Sequence, residues 1–139
     1  MPAPRSWTSS FAVVTLHSFT GDTLRLYYEP RSGAPVTTEG CDLVALFEAL
    51  PGLRRHRCDN GCHRSFFDEA QATEVAHLLE HVLIELLALD GCPRDHICGA
   101  TNLDEAPGRY RIKISGWDRA DQAEECIENA LVLLECQKL

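Results

Sequence analysis

An α+β fold, a small antiparallel sheet packed against a long central helix, is what this sequence predicts, and three observations predict it. β-Branched and aromatic residues crowd two runs near the N-terminus, 10–17 (SFAVVTLH) and 23–29 (TLRLYYE). A long apolar run, Val75 to Leu89, lies mid-chain, and strand-like alternation returns at 109–117 (RYRIKISGW). A chain of 139 residues suffices for one compact domain and is short for two, so 1–139 reads as a single domain.

The elements follow in order. Thr20-Gly21-Asp22 supplies turn chemistry between the first two runs, which makes them a hairpin. Pro30 to Gly40 reads as a loop. Asp42 can cap a short helix, 43–50, that Pro51-Gly52 ends. Leu53 to Phe67, rich in cysteine and histidine, reads as an irregular connection. The long helix is expected over about 70–89, starting between Asp68 and Thr73 and stopping at Asp90-Gly91, since Pro93 prevents continuation. A polar loop is expected from there to Pro107-Gly108. In the next run Tyr110, Ile112 and Ile114 alternate with Arg109, Arg111 and Lys113, the pattern of a strand with one wet face. Asp121-x-x-Glu124 resembles a capping box for a final helix, about 121–137, whose apolar face is Ala123, Ile127, Ala130, Leu131 and Leu134.

Bulk properties narrow the function. The net charge is -8, from 21 acidic and 13 basic residues, which argues against a nucleic-acid partner because phosphate backbones require a clustered positive field. The local basic cluster, Arg54, Arg55, Arg57 and Arg64, reads as a solvated loop. Seven cysteines is an odd number, and MPAPRSWTSS lacks the apolar core of a signal peptide. Reduced thiols and a cytoplasmic location are the expectation. His77, Glu80, His81 and Glu85 interrupt the longest apolar stretch, so no membrane partner is expected. Apolar faces on the hairpin and the final helix are compatible with a dimer, and the oligomeric state stays open.

The chemistry concentrates in His77-x-x-Glu80-His81. On a helix the two histidines lie one turn apart on one face and can grip one metal ion, with Glu80 close beside them. At about 100° per residue, His77, His81 and Glu85 fall within about 80° of arc, and leucines and valines cover most of the remainder. A narrow polar stripe on a mostly buried helix must face water, a cleft or polar partners. A zinc site needs a third protein ligand. Glu85, about 12 Å along the axis from His77, is too far to share the ion and is better placed to support His81. The preceding connection offers His56, Cys58, Cys62 and His63.

Leu50-Pro51-Gly52-Leu53, His56-x-Cys58, Gly61 and Phe66, then His77-x-x-Glu80-His81-Val82 with Glu85-Leu86, and finally Gly91 and Pro107-Gly108-x-Tyr110 together resemble the N-terminal domain of cyanophycin synthetase. The specific part of the likeness is Leu50 to Gly91. That enzyme is large and multidomain, with ATP-grasp and ligase-like domains, and the resemblance implies its N-terminal module standing alone. In some of its members the domain is understood to hold a metal-dependent hydrolytic site that cuts the polymer into primers. By resemblance, His77 and His81 are metal ligands, Glu80 is the catalytic base, and Cys58 is the third ligand. Where the family carries a GFGRTR loop, this chain has Arg94 to Ala100, leaving Arg94 and His96 as unmatched substrate candidates beside His56 and Glu85.

The expected function is therefore zinc-dependent hydrolysis of a peptide or isopeptide bond. The partners expected are a peptide-like or polymeric substrate and a separate synthetase or ligase. The alternative is a noncatalytic binding module with a structural metal or none, for which Cys58, Cys62 and a histidine could form a closed Zn2+ clip.

Overall fold

The computed structural model describes residues 5–58, 65–137 and 139. Among these residues five strands form one antiparallel sheet: β1 (Ser6–Thr8), β2 (Ala12–Thr20), β3 (Thr23–Pro30), β4 (Cys98–Leu103) and β5 (Tyr110–Ser115), in the spatial order β1-β2-β3-β5-β4. β2 and β3 are the expected hairpin, closed at Gly21, whose φ of 61° suits a residue without a Cβ. The third expected strand joins β3 through Leu24↔Ile114, Leu26↔Ile112 and Tyr28↔Tyr110. These six side chains share one face and are buried. Arg25, Lys113 and Arg111 alternate with them on the other face, as the sequence pattern requires.

Among the described residues four α-helices accompany the sheet: α1 (Val44–Ala49), α2 (Phe66–Glu69), α3 (Val75–Leu89) and α4 (Ala123–Glu135). α3 is the centre of the molecule and contacts β4, β5 and α4. Val75, Leu78, Leu79, Val82 and Leu83 of α3 are inaccessible and join the sheet's apolar face in one core. Ala123, Ile127, Ala130 and Leu134 of α4 add the second layer. Burial of such side chains contributes about 1.5–3 kcal/mol each, so α3 is held by its circumference and not by helix propensity. None of the described helices is long and apolar enough to cross a membrane.

Several boundaries differ from expectation. The helix does not begin between Asp68 and Thr73. Glu74 is extended, and the stretch around it pairs with the loop before α1: Thr38 N–H donates to the Thr73 carbonyl at 2.7 Å, and Val75 N–H donates to the Val36 carbonyl at 2.9 Å. Asp68 belongs to the separate single turn α2. The polar loop expected before Pro107 contains β4, the sheet's edge, and β1 is a further strand at the opposite edge. The capping box at Asp121 and Glu124 does not form. A 3₁₀ turn, Ala120–Gln122, leads into α4 without a side-chain cap, and Glu124 pairs instead with Arg5. Asp42 does act at the start of α1, its Oδ1 accepting the Val44 N–H at 3.1 Å.

Candidate metal centre

The site is assembled from α3 and the segment that precedes α2. Pro51–Arg55 forms a 3₁₀ turn, and the chain then runs extended through His56 to Cys58, pinned by Phe66 N–H donating to the His56 carbonyl at 2.9 Å and by an Arg57↔Ser65 bridge. Gly52 lets this turn press on α3, since a Cβ there would stand 2.1 Å from Glu85 Oε2. His56 and Cys58 are thereby laid over the polar stripe of the helix.

Cys58 Sγ lies 3.7 Å from His77 Nε2 and 3.4 Å from His81 Nε2, and the two nitrogens are 3.1 Å apart. The three residues converge within 4.8 Å and could hold a metal ion. Each histidine offers the same ring nitrogen, because the other is occupied. Thr73 Oγ1 meets His77 Nδ1 at 2.8 Å, and His56 Nδ1 meets His81 Nδ1 at 2.9 Å. His56 Nε2 in turn contacts Glu85 Oε1 at 2.9 Å, and Arg94 grips both oxygens of Glu85. One consistent proton assignment has His81 Nδ1–H donating to His56 and His56 Nε2–H donating to Glu85, which leaves Nε2 of His81 as a lone pair aimed at Cys58. Phe66 stacks on the His81 ring at 3.8 Å and 13°, fixing its plane from the other side.

Burial sets the protonation of this cluster. It holds His81 down to about 2, reinforced by the neighbouring imidazoles of His77 and His56, so the ring is neutral and free to ligate. Burial lowers His77 as well, against the pull of Glu69 and Glu74, and lowers His56 against the pull of Glu85. Cys58 is pushed up to about 12, chiefly by burial and further by Glu69 and Glu80. Without a cation the thiol keeps its proton, and a bound metal would displace it. Burial raises the Glu85 carboxyl, but hydrogen bonds from Arg94 and His56 outweigh it and leave the group below its ordinary value.

Glu80 stands beside the triad, its Oε2 3.7 Å from His81 Nε2. Thr101 Oγ1 of β4 donates to Glu80 Oε1 at 2.7 Å. Burial raises this carboxyl to about 7, partly offset by the Thr101 bond. Gly99, one pleat along, makes room: a Cβ there would come within 2.5 Å of Glu80 Oε2. Cys58, His77, His81, Glu80, His56 and Thr101 open on one cleft of about 760 Å³ between the His56–Cys58 segment, α3 and β4.

The sequence-derived residues thus converge unequally. Cys58, His77, His81 and Glu80 come together at the cleft. Glu85 reaches His81 through His56 and not directly. Arg94 clamps Glu85 and lines the cleft. His96 does neither: it is exposed in a 3₁₀ turn, its carbonyl against Gly116. Cys62 of the closed clip, and His63 of the same connection, lie outside the described residues. Sequence reasoning missed Thr73, four residues before His77 on the approach to the helix, and Thr101, which sits in an unrecognised strand.

Residues 40–137 match the family of the cyanophycin synthase-like N-terminal domain. The chain belongs to that family. The stretch contains every residue of the triad together with Glu80, His56 and Glu85. Two relatives named cyanophycin synthetase, from Trichormus variabilis and from a Nostoc species, are each 39% identical to the chain over 71 residues. That alignment covers 50% of this chain and 8% of either relative, so the chain answers to a small part of those enzymes. No solved structure matches it.

Proposed function

We propose that this cyanophycin synthase-like domain is a zinc-dependent hydrolase of peptide or isopeptide bonds. The observation that carries the reading is a carboxylate, Glu80, fixed by Thr101 beside three convergent Cys and His donors on the wall of an open cleft. The donor spacing supports zinc. Its bonds of about 2.0–2.1 Å to nitrogen and about 2.3 Å to sulfur, in tetrahedral geometry, separate two nitrogens by about 3.3 Å and nitrogen from sulfur by about 3.6 Å. The distances here are 3.1 Å, and 3.4 and 3.7 Å. Among the described residues three protein ligands converge, which leaves a fourth position for water, the pattern of catalytic sites.

When bound, the ion would supply a water of lowered pKa and polarise the substrate carbonyl. The chain's own residues do the rest. Glu80 takes a proton from the attacking water and returns it to the leaving amine nitrogen. Thr101 donates to one oxygen of Glu80 and so turns the other toward the cleft. The His56–Glu85–Arg94 chain holds His81 in the tautomer that presents Nε2.

The test is direct. The purified chain, loaded with zinc, is incubated with peptides joined through α- and β-aspartyl linkages and with cyanophycin, and new amines are counted by mass spectrometry. Glu80→Gln should keep one zinc per chain and lose hydrolysis by about 10²–10⁴-fold. Full turnover by that variant would overturn the role of Glu80, and a wild-type chain that takes up no zinc would overturn the reading itself.

A further inference from the structure

Among the described residues β4 is an unprotected edge, and natural sheets seldom leave one. Exposed edges are normally blunted by charge, proline, a bulge or a cover. At the opposite edge β1 is three residues long, and Arg5 stands immediately before it. β4 reads Cys-Gly-Ala-Thr-Asn-Leu, six residues without a charge or a proline, and all but Thr101 are exposed. Its inner side is fully paired with β5 from Cys98↔Ser115 to Leu103↔Tyr110. Among the described residues its outer backbone groups have no hydrogen-bond partner.

The edge also borders the site. Side chains of a strand alternate between faces, so a pocket on one face would touch every second residue. The cleft touches all of them in succession from Ile97 to Asn102, which means that it runs along the backbone edge. Gly99 and Ala100 present almost no side chain there. Thr101 ties Glu80 to this same strand, so the position of the carboxylate is registered to the edge. Arg55 and Arg57, both exposed, line the same cleft together with Glu69, in a chain whose net charge is -8.

Resting on the hydrolase reading for the cleft, we infer that the substrate is an extended peptide carrying carboxylate side chains, bound as an added strand on β4. Added strands gain affinity from main-chain hydrogen bonds and specificity from alternate side-chain positions. Six residues of edge at about 3.3 Å each accommodate about six residues of peptide. The bond to be cut is then chosen by register, since the paired chain passes Glu80 at a fixed distance along β4, and Arg55 and Arg57 select carboxylates among the alternate side chains that face the cleft.

The probe is an acetylated, amidated octapeptide of alternating aspartate and alanine, added to the zinc-loaded Glu80→Gln chain so that binding is read without turnover. Amide hydrogen exchange should slow at every second residue of β4 and stay unchanged in β1. N-methylation of alternate peptide nitrogens should weaken binding about fivefold for each bond lost, and methylation of the intervening ones should not. No binding at millimolar peptide, uniform protection, or alternating protection already present without peptide through β4 pairing between two copies would overturn the inference. The two readings fail separately. Alternating protection with no cleavage by the wild type removes the hydrolase and keeps the docking edge, whereas cleavage without alternation does the reverse.

Discussion

Gly99 decides how close the edge strand can come to Glu80. Its missing Cβ is the space in which Glu80 Oε2 and the Ile84 methyl sit, at 2.5 and 2.8 Å from where that carbon would be. Gly99→Ala should therefore displace the carboxylate while leaving the metal donors alone, and reduce amide hydrolysis by about tenfold or more at unchanged zinc content. A variant with normal kcat would mean that Glu80 needs no fixed position. His56 makes the complementary prediction. It touches no metal donor atom, only the far nitrogen of His81, so His56→Ala should weaken zinc about 10–100-fold in a competition titration without abolishing it. His77, Glu80 and His81 were legible in the sequence because helical geometry alone fixes their mutual placement. Cys58 was legible through resemblance, and Thr101 through neither, because its contact depends on which strand borders the helix.

Among the elements, the two strands that escaped the sequence pattern are the two edges. Alternation records one buried and one wet face, and β4, exposed along nearly all its length, has no such contrast to record. The start of α3 was misplaced for a different reason. Nothing in Ala72-Thr73-Glu74 forbids a helix, but tertiary pairing outcompetes it there. Thr38 Oγ1 donates to the Ala70 carbonyl at 2.7 Å and accepts the Thr73 N–H at 3.0 Å, both buried, so one hydroxyl holds the bend between α2 and α3. Thr38→Val keeps the volume and leaves two buried backbone groups unsatisfied, at a cost of about 1–3 kcal/mol. Urea unfolding should show that loss as a lower midpoint at constant slope. It should also loosen His77, whose Nδ1 partner is the adjacent Thr73 hydroxyl, and lower zinc affinity in the same variant.

For the whole molecule the question is how far folding depends on the metal. A closed zinc clip that orders an otherwise coreless segment makes metal binding and folding one event. Here the core is continuous through the sheet, α3 and α4 without any metal donor in it, and the donors line a cleft at its margin. His81 is further held by Phe66, His56 and Glu85, none of which needs the ion. Chelation should therefore leave the far-ultraviolet dichroism and the cooperative transition intact. It should remove only the linkage contribution, about 2.7 kcal/mol where free zinc stands at a hundred times its Kd, seen as a fall in Tm of several degrees that re-addition of zinc restores. Loss of the cooperative transition in chelator would place the metal in the folding core, favour the closed clip with Cys62 or His63, and count against the hydrolase. A partial, reversible fall is what an open site on a pre-formed cleft requires.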